Sequence, residues 1–107
     1  MSTFLKNVKL DLTSTGATTL YTTPAAKTAV FKSILVSEDS GSADTITVTI
    51  TDASAAVFSL FKVKAVAANT TVELLSQPLV VETSEILKFT AATANRLHVV
   101  ASYMELG

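Results

Sequence analysis

His98, the chain's one histidine, lies in the alternating run RLHVVAS, and any serine or threonine nucleophile would have to find its base there. No nucleophile elbow and no glycine-rich oxyanion loop accompanies it, so the run predicts a strand with a histidine on one face. A single histidine and no cysteine leave zinc without a ligand set. Glu38, Asp39 and Asp44 gather around Ser40, Gly41 and Ser42, a loop rich in the oxygen ligands calcium takes. The spacing is not that of an EF-hand, and the expectation is a solvated hairpin tip. Glu73, Glu82, Glu85 and Glu105 could supply a carboxylate pair for glycoside hydrolysis, but there is no tryptophan, and only Tyr21 and Tyr103 could stack on a sugar ring. Lys62 and Lys64 share one face of a predicted strand and suit a phosphate, edge protection or a subunit salt bridge equally well. The expectation is no enzyme, with no catalytic residue, cofactor or metal ligand.

Elements that would have to position such groups are bounded by composition. At 107 residues the chain is expected to form one domain, residues 1–107, around one core. Without cysteine the fold stands on burial and hydrogen bonding. A net charge of −1 with scattered lysines gives no footprint for nucleic acid. No apolar run approaches the roughly 18 residues of a membrane helix. Lys6, Asn7 and Lys9 interrupt the N-terminal apolar residues, so no signal peptide is expected. Charged residues make up 16% of the chain and hydrophobic ones 49%. Against about 25% charged in an ordinary soluble domain, either threonine and serine cover the surface or partners do.

Alternation dominates. In DTITVTITD, from Asp44 to Asp52, Ile46, Val48 and Ile50 point one way and Thr45, Thr47, Thr49 and Thr51 the other. The same period, bounded by turn residues, recurs at 4–12, 18–23, 28–37, 56–66, 72–75, 79–82, 86–91 and 97–106. Val8, Leu10 and Leu12 are expected inward in the first, and the third and the DTITVTITD strand are expected to form a hairpin. About eight strands with even turn spacing predict an all-β, antiparallel two-sheet β-sandwich of jelly-roll type. Asp44 and Asp52 flank an aggregation-prone window as gatekeepers.

Three strands are apolar in both phases: Val30, Ile34 and Val36 against Phe31 and Leu35; Phe58 and Leu60 against Phe61 and Val63; Leu97 and Val99 against Val100 and Met104. A sandwich has one inner face, so the second set must meet a bulge, an overlying segment or another subunit. The low charge favours a subunit. A homo-oligomer interface of Phe58, Phe61, Val63, Val100 and Met104 is therefore expected.

The segments TTLYTTPAAKTAVFKSILV (18–36), TVTITDAS (47–54), FKVKAVAANTTVELL (61–75), LVVETSEILKFTAATAN (79–95) and LHVVASYMEL (97–106) resemble, in kind and order, a family of small structural proteins of tailed-bacteriophage virions. The resemblance implies a many-copy β-sandwich virion protein without catalytic residues, in the first place a capsid decoration (cement) subunit. A small tail, baseplate or fibre component is the alternative, and a glycan-binding adhesion module a more distant one. It also implies a homo-oligomer, in particular a trimer, docked on major capsid or tail proteins and assembled in the host cytoplasm.

Overall fold

The computed structural model describes residues 3–107, which form nine strands and no helix. They are β1 (Thr3–Asp11), β2 (Thr18–Thr22), β3 (Thr28–Glu38), β4 (Asp44–Thr51), β5 (Val57–Val66), β6 (Thr71–Glu73), β7 (Leu79–Val81), β8 (Ile86–Ala91) and β9 (Leu97–Leu106). One sheet runs β1-β9-β3, with β6 and β7 on the far edge of β3; the other runs β2-β8-β4-β5. Every strand pairing is antiparallel. β6 pairs Leu35 to Ser37 and β7 pairs Ala29 to Phe31, so the two are one edge strand interrupted between Glu73 and Leu79. Taken as one, they complete the wound order of a jelly roll.

The core fills the space between the sheets as the alternation predicts. Ile46 and Val48 are fully buried and Ile50 packs at the core margin. Leu12 is buried, with Val8 and Leu10 packed against the same cluster. Tyr21, Phe31 and Tyr103 form an aromatic group at one end, with ring centroids 4.9 to 5.3 Å apart. Edge-to-face and stacked rings of this kind add to the area they bury.

β3 and β4 are not a hairpin, contrary to expectation: they belong to different sheets, and the 39–43 loop carries the chain across the sandwich. The hairpin in this region is β4 with β5. Bulges explain most of the mixed apolar phase. In β3 the register slips between Phe31 and Ser33, so Phe31 and Ile34 both face the core while Val30 and Leu35 face out. In β5 it slips twice, between Ser59 and Phe61 and between Phe61 and Lys64. Each extra residue reverses the alternation that follows it. β9 has no bulge: Leu97, Val99, Ala101 and Tyr103 are buried, and Val100 and Met104 lie on the outer face.

Turns form where turn chemistry predicts, with few glycines. Ala26, Ala55, Asn69, Ser84 and Asn95 take positive φ at the β2–β3, β4–β5, β5–β6, β7–β8 and β8–β9 connections. Asp52 does more than guard its strand, because its Oδ1 accepts from the amides of Ser54 and Ala56, both at 2.9 Å. Val63 also has positive φ, 53°, at the second bulge of β5. A β-branched residue is costly there, and the Thr47 hydroxyl oxygen, accepting from the Val63 amide at 3.0 Å, holds the bulge. Val63→Gly relieves that strain and loses little packing, since Val63 is 59% exposed. We expect stability to rise by about 1 kcal/mol; a lowered urea midpoint would show the valine side chain to be needed.

Candidate functional site

The polar residues singled out in the sequence fall into separate structural clusters. His98, on β9, lies between two carboxylates: Nδ1 is 2.5 Å from Asp11 Oδ1 and Nε2 is 3.0 Å from Asp39 Oδ1. Both ring nitrogens donate, so the geometry suits an imidazolium, and the His98 pKa is raised chiefly by the Asp11 hydrogen bond, against burial. A ring held in this way ties together the end of β1, the start of β9 and the 39–43 loop, with both nitrogens engaged by carboxylates. The two carboxylates sit on opposite ring nitrogens and do not converge. Among the described residues no group of three His, Asp or Glu side chains could hold a metal ion.

The 39–43 loop is solvated as expected, but it is not a hairpin tip, and the acidic residues that flank it are buried. Glu38, at the end of β3, is buried and accepts from the amides of Ser40 (3.0 Å), Gly41 (3.1 Å) and Asn69 (3.1 Å) and from the Ser40 hydroxyl. The Ser40 hydroxyl, with the three amides, brings its pKa down to about 2 against the opposing effect of burial. Asp44 is also buried and accepts from the Thr93 amide at 3.1 Å. These carboxylates spend their lone pairs on the chain itself, tying the loop to its neighbours.

The other carboxylates are dispersed. Glu73 accepts from the amides of Ile34 (2.8 Å) and Leu75 (3.2 Å) and from the Ser33 hydroxyl, pinning the interruption of the edge strand. Burial opposes its charge, but these donors prevail and its pKa is lowered. Glu85 folds back on its own turn, accepting from the Glu82 amide at 2.7 Å. Glu105 faces inward beside the aromatic group, accepting from the Tyr21 hydroxyl at 2.8 Å and from Lys6 Nζ at 3.2 Å. The Tyr21 bond is the main cause of its lowered pKa, while burial first and Glu105 second push Tyr21 far above the usual phenol range. Glu105 follows the inward phase of Leu97, Val99, Ala101 and Tyr103, the signal in the sequence by which it could have been found. Tyr21→Phe leaves this buried carboxylate with Lys6 alone among these donors. The expected cost is about 1–3 kcal/mol in chemical denaturation, and an unchanged midpoint would mean that water replaces the hydroxyl.

Lys62 and Lys64 do not share a face. The second bulge of β5 lies between Phe61 and Lys64, and Lys64 pairs with Ile46, in the phase of Phe61, while Lys62 falls in the other phase. An open cleft of about 300 Å³ lies between Leu60 and Phe61 of β5 and the Leu74–Leu79 segment. Its lining, completed by Leu75, Ser76, Gln77 and Pro78, holds no titratable group to orient a substrate.

The remaining candidates are surfaces. Phe58 (55% exposed) and Val63 are on edge strand β5 with the half-buried Phe61, whereas Val100 and Met104 lie mid-sheet on the outer face of the other sheet. The structure therefore divides the expected interface in two. The outer-face half is larger than the sequence suggested. Cross-strand pairing sets Leu5 beside Met104, Met104 beside Val30 and Val30 beside Val80, an aliphatic row spanning the sheet. Leu5 is 81% and Val80 52% exposed. Val100 and Leu35, also exposed, are paired in a second row.

No family model and no curated protein matches the chain, so the tailed-phage resemblance gains no support from either comparison. The fold does have a counterpart among solved structures. The chain is similar to one described as "Bacillus endospore appendages form a novel family of disulfide-linked pili", with a TM-score of 0.58 and 11% identity over 97% of this chain and 87% of that one. At that identity the likeness bears on fold: an all-β, two-sheet sandwich matched over nearly its whole length.

Proposed function

We propose that the chain is a non-enzymatic structural subunit that works by packing against copies of itself in a repeating assembly. The observation that carries this is the exposed aliphatic row Leu5, Met104, Val30 and Val80 on a chain with only 16% charged residues. A monomer gains nothing from such a row, and a many-copy protein hides it. Apolar side chains exposed on the other sheet, Val57 and Phe58 of β5, give each subunit two separate contacts, which is what a shell or fibre needs. The polar clusters support the same reading, because their carboxylates are spent on loops and strand ends.

The likeness to a pilus protein agrees with a subunit of an extended assembly. The disulfides named for those pili are not open to this chain, which has no cysteine, so its contacts would form without them. The finer form of the proposal rests on the sequence resemblance. It is a tailed-bacteriophage virion protein assembled in the host cytoplasm, a capsid decoration subunit or else a small tail, baseplate or fibre component, with a trimer docked on capsid or tail protein as its expected form. Sedimentation from micromolar concentration upward tests the self-association, and immunogold labelling of intact particles tests the placement. We expect mass to rise with concentration and label to decorate particle surfaces. A protein monomeric throughout and absent from particles would remove the proposal.

A further inference from the structure

We propose that the outer face of the β1-β9-β3 sheet is a two-fold interface with a second copy of this chain, related by an axis parallel to the strands and lying between β9 and β3. The inference rests on the self-association proposed above and specifies one of its contacts, a two-fold one separate from any contact that closes a trimer. Cross-strand pairing makes the face a grid. One row reads Leu5, Met104, Val30, Val80 from the β1 edge to the β7 edge. Next toward the far end come Asn7 and Ser102, with Ser33 and the exposed Lys32 of the β3 bulge beside them, and then Lys9, Val100, Leu35, Glu73. Asp11, His98, Ser37 and Thr71 close the grid.

The third of these rows selects the partner. It is apolar in the middle, cationic at the β1 end and anionic at the β6 end, so it is complementary to its own reversal. A two-fold axis along the strands lays each row over itself end for end. Lys9 then meets the partner copy's glutamate of the same row, Leu5 meets the valine at position 80, and Met104 and Val100 meet Val30 and Leu35. Strand directions stay aligned, as in stacked sheets. The other face-to-face two-fold, perpendicular to the strands, exchanges the first and third rows without reversing them. It would press Lys9 onto Leu5 and Glu73 onto Val80, leaving both charges facing aliphatic groups. Charge pattern thus favours one axis over the other. Glu73 is suited to the role because Ser33 and the Ile34 amide already hold its carboxylate in place.

Size sets the strength. Four strand positions at about 4.8 Å spacing and rows about 6.8 Å apart give a face on the order of 500 Å² per copy. That is at the lower end of specific interfaces, so the contact alone should be concentration-dependent and gain strength from repetition in an assembly.

The absence of native cysteine makes a direct test possible. Leu5→Cys and Val80→Cys, both at exposed positions, are prepared separately, mixed, and treated with a bis-maleimide of about 10 Å reach, the spacing of stacked sheets. The expected result is a covalent dimer in the mixture and little in either variant alone, because only unlike positions face each other. Lys9→Glu should weaken association measured by sedimentation at least about tenfold, and Met104→Lys should do so more strongly, with circular dichroism unchanged. Self-association that persists without cross-linking in the mixture, or that ignores Met104→Lys, overturns this interface while leaving the structural-subunit reading standing. A protein monomeric at every concentration also overturns this interface, and one that is in addition absent from particles overturns the structural-subunit reading with it.

Discussion

Val48→Asp should severely destabilise the fold, while Thr49→Asp, one residue along the same strand, should leave it nearly intact. Val48 has no exposed surface and is paired between Phe89 of β8 and Phe61 of β5. A carboxylate placed there has no cation or donor to meet and must be buried charged, take up a proton or force the sheets apart. The cost is expected to exceed about 4 kcal/mol, a large part of the 5–15 kcal/mol that holds a typical domain folded. Thr49 faces out, half-exposed, with Lys88 directly across on β8 and Ser59 on β5. An aspartate there gains a cation as cross-strand neighbour, and the change should stay within about 0.5 kcal/mol. Urea unfolding of the two variants measures both. Comparable losses would mean that the alternation of β4 does not decide which face is buried.

That contrast marks how far the sequence could be read. Where alternation runs unbroken, in β4, β8 and β9, the buried phase is legible residue by residue. It fails in β3 and β5 because a bulge adds one residue to a two-residue period, and no glycine marks the place. At Val63 the chain puts a β-branched residue in a conformation that local preference disfavours, so propensity argued against the bulge that forms. The supposed β3–β4 hairpin failed for a different reason: a crossing loop and a hairpin loop have the same polar composition. Phase could have separated them, since Ile34 and Val36 carry their inward direction on to Glu38, and a buried glutamate needs the donors that a crossing loop supplies. Of the exposed aliphatic face, only the β9 residues Val100 and Met104 were legible. Leu5 and Val80 lie in the same row as Met104 through pairing across four strands, and pairing partners are not written in local pattern.

Acid should unfold this protein earlier than its small number of charges suggests. Glu38 has its pKa lowered from 4.5 to about 2, and Glu73 and Glu105 are lowered as well. In each case the folded state binds the proton less readily than the unfolded chain. Their stabilisation is therefore complete above about pH 4.5 and is lost as pH falls from there through the folded-state values. Protonating Glu38 removes the acceptor on which the amides of Ser40, Gly41 and Asn69 converge, and the loop that crosses between the sheets loosens with it. His98 works in the other direction. Its pKa is raised above 6.5, so its contribution is complete below that value and is lost as pH rises through the folded one. The imidazole is 42% exposed, and water and salt screen much of its attraction to Asp11 and Asp39, so the alkaline loss is the shallower. The Tm measured by calorimetry should thus peak between about pH 4.5 and 6.5, fall steeply toward pH 3 and decline gently above neutrality. Glu38→Gln should lower the Tm at the optimum and flatten the acid limb, because the variant has one less depressed carboxylate to protonate. His98→Ala should flatten the other limb and leave the acid one unchanged. A Tm constant from neutrality down to about pH 3 would show that these carboxylates are no better satisfied in the fold than in water.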